Sequence, residues 1–189
     1  MHEEPTFDPA TIEADVRRWL ERAVIGLNLC PFAKAVYVKQ QVRIVISDAS
    51  TERALLEQLG EELVHLRDTP AETVDTTLLV HPLVLTDFLD YNDFLDDADA
   101  MVDALQLDGV LQVASFHPDY RFADTDADDP GNLTNRAPHP ILHLLREDSV
   151  ERAVAAYPQP DAIIARNIET MRELGVEGFR TLLSGESKR

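Results

Sequence analysis

The chain carries a single cysteine, Cys30, in 189 residues. No intramolecular disulfide can form and no multi-cysteine zinc site can be built. Basic residues are scarce: 17 Lys and Arg stand against 35 Asp and Glu, a formal net charge of -18. Such a field repels phosphate backbones and anionic lipid surfaces, so neither nucleic acid nor membrane is expected as a partner. Any anionic ligand would need a local basic pocket. The bland role of so much acid is a solubility coat. Long apolar runs are also missing, none reaching the ~18 residues of a membrane span. The opening MHEEPTFDPATIEADV lacks a basic region followed by an apolar core, so no secretory signal is expected. A phosphate-binding glycine loop, a dinucleotide fingerprint and a nucleophile-elbow serine are absent too. These absences predict a cytoplasmic protein, in which the Asn132-Leu133-Thr134 sequon stays unglycosylated.

What is present suits a folded domain: 44% hydrophobic and 28% charged residues. One domain over 1–189 is expected, frayed at 1–7 and 184–189. Asp8 and Pro9 open a helix whose stripe Ile12, Val16, Trp19, Leu20, Ala23, Val24 and Leu27 has helical spacing. It should end within Asn28-Leu29-Cys30-Pro31. Val42 to Ile46, Thr76 to Val80 and Val110 to Phe116 read as strands. Helices are expected over Thr51–Arg67 and Asp90–Leu105, then near Pro140–Arg146, Ser149–Ala156 and Pro160–Leu174, the last closed by Gly175. Alternation of strand and helix predicts an α/β fold, a small mainly parallel or mixed sheet flanked by helices with a helical C-terminal part. The alternative is a ferredoxin-like α+β arrangement, for which Ala35 to Val38 would supply a fourth strand.

The third strand runs into Ser115-Phe116-His117-Pro118-Asp119-Tyr120. His117 should therefore emerge at a strand end, where α/β sheets bind ligands. The polar stretch from His117 to Pro138 is long for a structured connection and delivers Asn135 and Arg136. The bland readings are a capping histidine and an arginine paired to a nearby aspartate. His139 and His143 have the spacing of a helical metal pair, but Pro140 and the missing glutamate exclude the zinc-protease motif. Asp124, Asp126 and Asp128 begin like a calcium loop that then fails at Asp129 and Asn135. No metal is assigned, and the sequence names no cofactor.

Cys30 has two placements. Continuing the first helix puts it on the apolar stripe as a buried inert thiol, the commoner case. Capping a new short helix from Pro31, with Lys34 one turn on, would activate it. Asn167 falls on the apolar face formed by Ile163, Ile164, Ile168, Met171 and Leu174. There it either bonds a neighbouring backbone segment or lines a pocket beside Arg166.

Several of these segments together resemble a known family. They are Asn28-Leu29-Cys30-Pro31-Phe32-Ala33, Asp90-Tyr91-Asn92-Asp93-Phe94-Leu95, Ala114 through Tyr120, Asn135-Arg136-Ala137-Pro138, Leu142 through Glu147, and Arg166-Asn167. The chain is similar over nearly its whole length to the bacterial domain of unknown function 1415. The resemblance implies no reaction, and His139 departs from the family's usual tyrosine.

Three functions follow as expectations. The first is an enzyme acting on a small anionic metabolite, with His117 as general acid or base and Asp119 or Asn135 orienting it. Arg136 and Arg166 would bind the anion, with Asn135, Asn167 and His143 completing the binding site. The second is a thiol enzyme using Cys30 with His117 or His143 as base. The third is a noncatalytic binding or scaffolding protein that meets a basic partner through an acidic helix face bearing Asp93 and Asp97.

Overall fold

A computed structural model describes residues 7–157, 159–160 and 162–184. The expected fraying falls mostly outside these residues. Within them, Phe7 is exposed ahead of the first helix and Ser184 closes the last.

Helix α1, Pro9–Trp19, starts as its sequence dictates: Asp8 is the N-cap and accepts the Ala10 N–H at 3.2 Å. The helix loosens into a π-helical turn over Leu20–Ile25 and stops at Asn28, whose φ is 53°. Asparagine tolerates this left-handed geometry better than most residues. A short helix α2 covers Ala33–Val38, and strand β1 covers Val42–Ile46. The alternative fourth strand at Ala35 to Val38 is therefore helical.

Helix α3, Glu52–Asp68, is capped by the Thr51 hydroxyl and buries Leu55, Leu59, Leu63 and Leu66 completely. Strand β2, Thr76–Val80, is followed by α4, Phe88–Ala104, capped by Asp87, and then by β3, Leu111–Phe116. A 3-10 turn, Pro130–Asn135, structures the polar loop that follows. Next come strand β4, Ile141–Arg146, helix α5, Glu147–Ala156, and helix α6, Ala162–Ser184. Gly175, at φ 69° and ψ 171°, breaks α6 into two helical segments. Only glycine adopts that backbone without strain. The expected stop at Gly175 is real, but the chain resumes a helix beyond it.

The segment expected as a helix near Pro140–Arg146 is a strand. β4 lies antiparallel between β2 and β3 in a four-stranded mixed sheet of order β1-β2-β4-β3, with β1 and β2 parallel. Ile141-Leu142-His143-Leu144-Leu145 is largely apolar on both sides because helices cover one sheet face around it and part of the other. Periodicity cannot separate such a run from a buried helix. The α/β class and the mixed sheet stand, with helices α3 and α4 on one face. Both strand crossovers step in the same direction along the sheet, so right-handed connections send α3 and α4 to that one face. There Leu79, Leu142 and Leu144 pack with the α3 leucines, Tyr91 and Phe94.

On the opposite face, Leu78, Val80 and Ile141 pack against α1, the π-helical turn and α6 through Val16, Trp19, Ala23 and Met171. These helices do not cover the whole face. The part they leave open is the floor of a cavity. Among the described residues, no helix is long and apolar enough to cross a membrane.

Candidate functional site

The cavity has a volume of about 550 Å3. Its floor is the sheet itself: Thr76 and Leu78 of β2, His143 and Leu145 of β4, and Gln112 and Ala114 of β3. Register explains the grouping. His143 sits across from Leu78 on one side and Ala114 on the other, so all three face the same way. Ala114, a methyl beside an imidazole, leaves the space open. The walls are the π-helical turn and the chain after it (Val24, Leu29, Cys30, Phe32), α2 through Tyr37, α5 through Ser149 and Val150, and α6 through Asn167.

His143 is the central polar group. Its Nε2 lies 2.7 Å from Thr76 Oγ1, and that hydroxyl also lies 2.7 Å from the Leu144 carbonyl oxygen. A threonine hydroxyl has one proton, and a carbonyl can only accept. Thr76 therefore donates to Leu144 and accepts from His143, which fixes the proton of the neutral ring on Nε2. The lone pair is left on Nδ1, which has no hydrogen-bond partner among the described residues. Burial pushes the ring's pKa down to about 4, so it is neutral at ordinary pH.

Cys30, Asn135 and Asn167 line the same cavity. Cys30 occupies neither of its expected placements. It is half-buried in a bend, its carbonyl accepts the Ala33 N–H at 3.3 Å, and Phe32 rather than Cys30 stands at the cap of α2. Asn135 donates to the Ser115 carbonyl at 3.3 Å. Asn167 donates to the Leu29 carbonyl at 2.7 Å, while its own Oδ1 is buried without a donor among the described residues. Asn167 thus both bonds a neighbouring backbone and lines the pocket.

The remaining expected site residues lie outside the cavity lining. Arg166 donates to the Asn28 carbonyl at 2.7 Å and to the Tyr157 hydroxyl at 2.8 Å, which pins the turn ahead of Cys30. Arg136 donates to the carbonyls of Tyr120 at 3.2 Å and Ala127 at 2.7 Å, drawing the polar loop together. His117 does stand at the end of β3, yet it is fully buried. Its Nε2 meets the Leu85 carbonyl at 3.2 Å and its Nδ1 accepts the Asp119 N–H at 3.0 Å. Leu85 has a φ of 57°, a costly value for a bulky residue, and the His117 ring helps hold that turn. Desolvation lowers the His117 pKa. Asp119 is exposed.

His139 and His143 do not share a helix face. His139 stands before β4, with Nε2 3.3 Å from Asp15 Oδ2. Asp124, Asp126 and Asp128 are exposed on the loop. Among the described residues, no three His, Cys, Asp or Glu side chains are arranged to hold a metal ion. Asp93 and Asp97 are exposed on α4, across the sheet from the cavity.

Two cavity residues escaped sequence reasoning. Thr76, which sets the histidine tautomer, is 67 positions from His143 and becomes its neighbour only through strand pairing. Asp75, beside it, accepts from Ser149 at 2.7 Å. Neither carries a local sequence signal.

A half-covered mixed sheet, with a neutral histidine facing a mostly apolar cavity, defines a small α/β protein with an internal cavity. Residues 11–181 match the model of the family described as protein of unknown function, DUF1415, and the chain belongs to that family. No curated protein and no solved structure matches it.

Proposed function

We propose that the protein is a single-domain cytoplasmic enzyme that acts on a small molecule held in the cavity, with His143 moving the proton. The observation that carries this reading is the locked tautomer: Nδ1 has a lone pair and no partner, on the floor of a cavity large enough for a metabolite. A general base needs an unprotonated nitrogen within reach of its substrate and a second group that orients the ring. Thr76 supplies the orientation. When Nδ1 takes a proton, the Thr76 oxygen and the Leu144 carbonyl behind it stabilise the imidazolium with dipoles already in place. A low pKa makes the resting ring a weak base and the charged ring a strong acid. Such a group suits a proton taken and returned within one turnover.

This reading moves the acid–base role from His117, whose two nitrogens are both engaged, to His143. It also removes the support for an anion clamp, because Arg136 and Arg166 donate to partners within the chain. The test is comparative metabolite profiling with wild-type protein and His143→Asn in a cell extract. At least one small molecule should be consumed by the wild type, with the variant slower by about 100-fold or more, the usual weight of a positioned acid–base group. Equal turnover by both proteins would refute the assignment.

A second reading has one observation in its favour: Cys30 and His143 line the same cavity. In that case Cys30 is the nucleophile and His143 its base. Alkylation by iodoacetamide that follows a single thiol titration and stops turnover would favour it, and a thiol inert at every pH would end it.

A further inference from the structure

We infer that the ligand of this cavity is an uncharged, largely apolar molecule carrying a hydrogen-bond donor, such as a phenol or alcohol, which it presents to Nδ1 of His143. The inference rests on the reading of the cavity as the substrate site and names the substrate's chemical class.

Three observations converge. First, the cavity offers an acceptor that nothing in the fold satisfies: His143 Nδ1 on the floor has no partner among the described residues. A ligand that can only accept gains nothing from it, whereas a ligand O–H or N–H supplies what is missing.

Second, the lining holds a single Lys or Arg among the described residues, Arg146, and its donors are turned into the fold. Its Nη2 donates to the Leu66, Thr69 and Val74 carbonyls at 2.6, 2.5 and 2.9 Å, and its Nε to the Val74 carbonyl at 3.3 Å, in and after the last turn of α3. The wall also holds Asp75, opposite in sign to Arg146, and the whole chain carries a net -18, so the global field opposes a carboxylate or phosphate.

Third, most of the remaining surface is hydrocarbon, including Leu78, Leu145, Phe116, Val24, Leu29 and Val150. Such a lining repays burial of an apolar body and penalises an unpaired charge of either sign. Gln112, whose side chain has no partner among the described residues, is a neutral amide that can serve a second polar group.

The test uses wild-type protein labelled with 15N histidine and four probes of one shape. They are 4-propylphenol, its methyl ether 4-propylanisole, 4-propylbenzoate and 4-propylbenzylammonium. Titration calorimetry gives affinities, and the imidazole 15N signals report the tautomer. The free protein should show His143 as the Nε2–H tautomer with a bare Nδ1. The phenol should bind and shift the Nδ1 signal. The ether should bind at least tenfold more weakly without that shift, and both charged probes more weakly still. The inference is overturned if the ether equals the phenol, if either charged probe binds best, or if none of the four binds at millimolar concentration.

Failures of the two readings remain distinct. Phenol binding at His143 without His143-dependent turnover in extract would sink the catalytic reading and keep the ligand class. His143-dependent turnover of an anion would do the reverse.

Discussion

His81 shows what a buried imidazole costs and when. It is fully buried at the end of β2, with Nδ1 2.9 Å from the Val84 carbonyl, its ring stacked on Tyr91, and Nε2 without a partner among the described residues. Burial, helped by nearby His117, lowers its pKa to about 4, against 6.5 in the unfolded chain. Between those values the unfolded state binds the proton and the folded state does not. Stability is therefore complete above the unfolded pKa and falls as the pH drops towards 4, by up to about 1.4 kcal/mol per pH unit for such a group. Urea unfolding at about pH 7 and about pH 5, above most carboxylate titration, should show wild type losing more stability than His81→Asn. Equal losses would mean that the ring titrates normally in the folded state. His117 and His143 share the direction of the shift, so the variant should retain part of the slope. Residue types pointed to histidines as the chemistry of this chain. Which of them has a free nitrogen depends on a threonine, a leucine carbonyl and a loop amide brought in from elsewhere.

Among the elements, α1, α3, α4, α5, the first segment of α6 and three strands were legible because each carries its own signal, whereas α2 and the helix beyond Gly175 were not. Asp8-Pro9 and Thr51 supply caps, and Leu55, Leu59, Leu63 and Leu66 supply a stripe. The fourth strand was not legible, since its residues face apolar neighbours on both sides and only pairing with β2 and β3 distinguishes it from a helix. Half of the site suffered the same way. Cys30, Asn135, His143 and Asn167 were singled out by type and converge on one cavity, but the floor that joins them is a product of register. The turn that carries Cys30 depends on a distant element, through the Arg166 and Asn167 bonds to the Asn28 and Leu29 carbonyls. Replacing Arg166 with Met keeps much of the stem and removes its donors to Asn28 and Tyr157, at a cost of about 0.5–1.5 kcal/mol per lost bond because the freed partners can meet water. Cys30 should then alkylate several-fold faster while far-ultraviolet circular dichroism is unchanged. An unaltered alkylation rate would show that α6 does not hold the turn.

For the whole molecule, the charge is the dominant global quantity. Ion pairs such as Arg17–Glu13 and Arg53–Glu57 are exposed and contribute little, leaving the excess acid to repel itself. Raising potassium chloride from about 10 mM to about 1 M shortens the screening length roughly tenfold. The melting temperature should rise by roughly 2–8 °C, equivalent to about 1–2 kcal/mol for a chain of this size. An unchanged or lower melting temperature would mean that the acidic groups are spaced widely enough not to interact.

The position of β4 also bears on how the chain is completed during synthesis. β2 and β3 are separated by the width of one missing strand, so their facing edges stand roughly 9–10 Å apart until Ile141–Arg146 arrives. A nascent chain that has emerged only as far as the polar loop has every helix of one layer and three of its four strands, yet no continuous sheet. The last strand in the sequence is a keystone, and a ribosome stalled before it would present two open strand edges to any neighbouring chain.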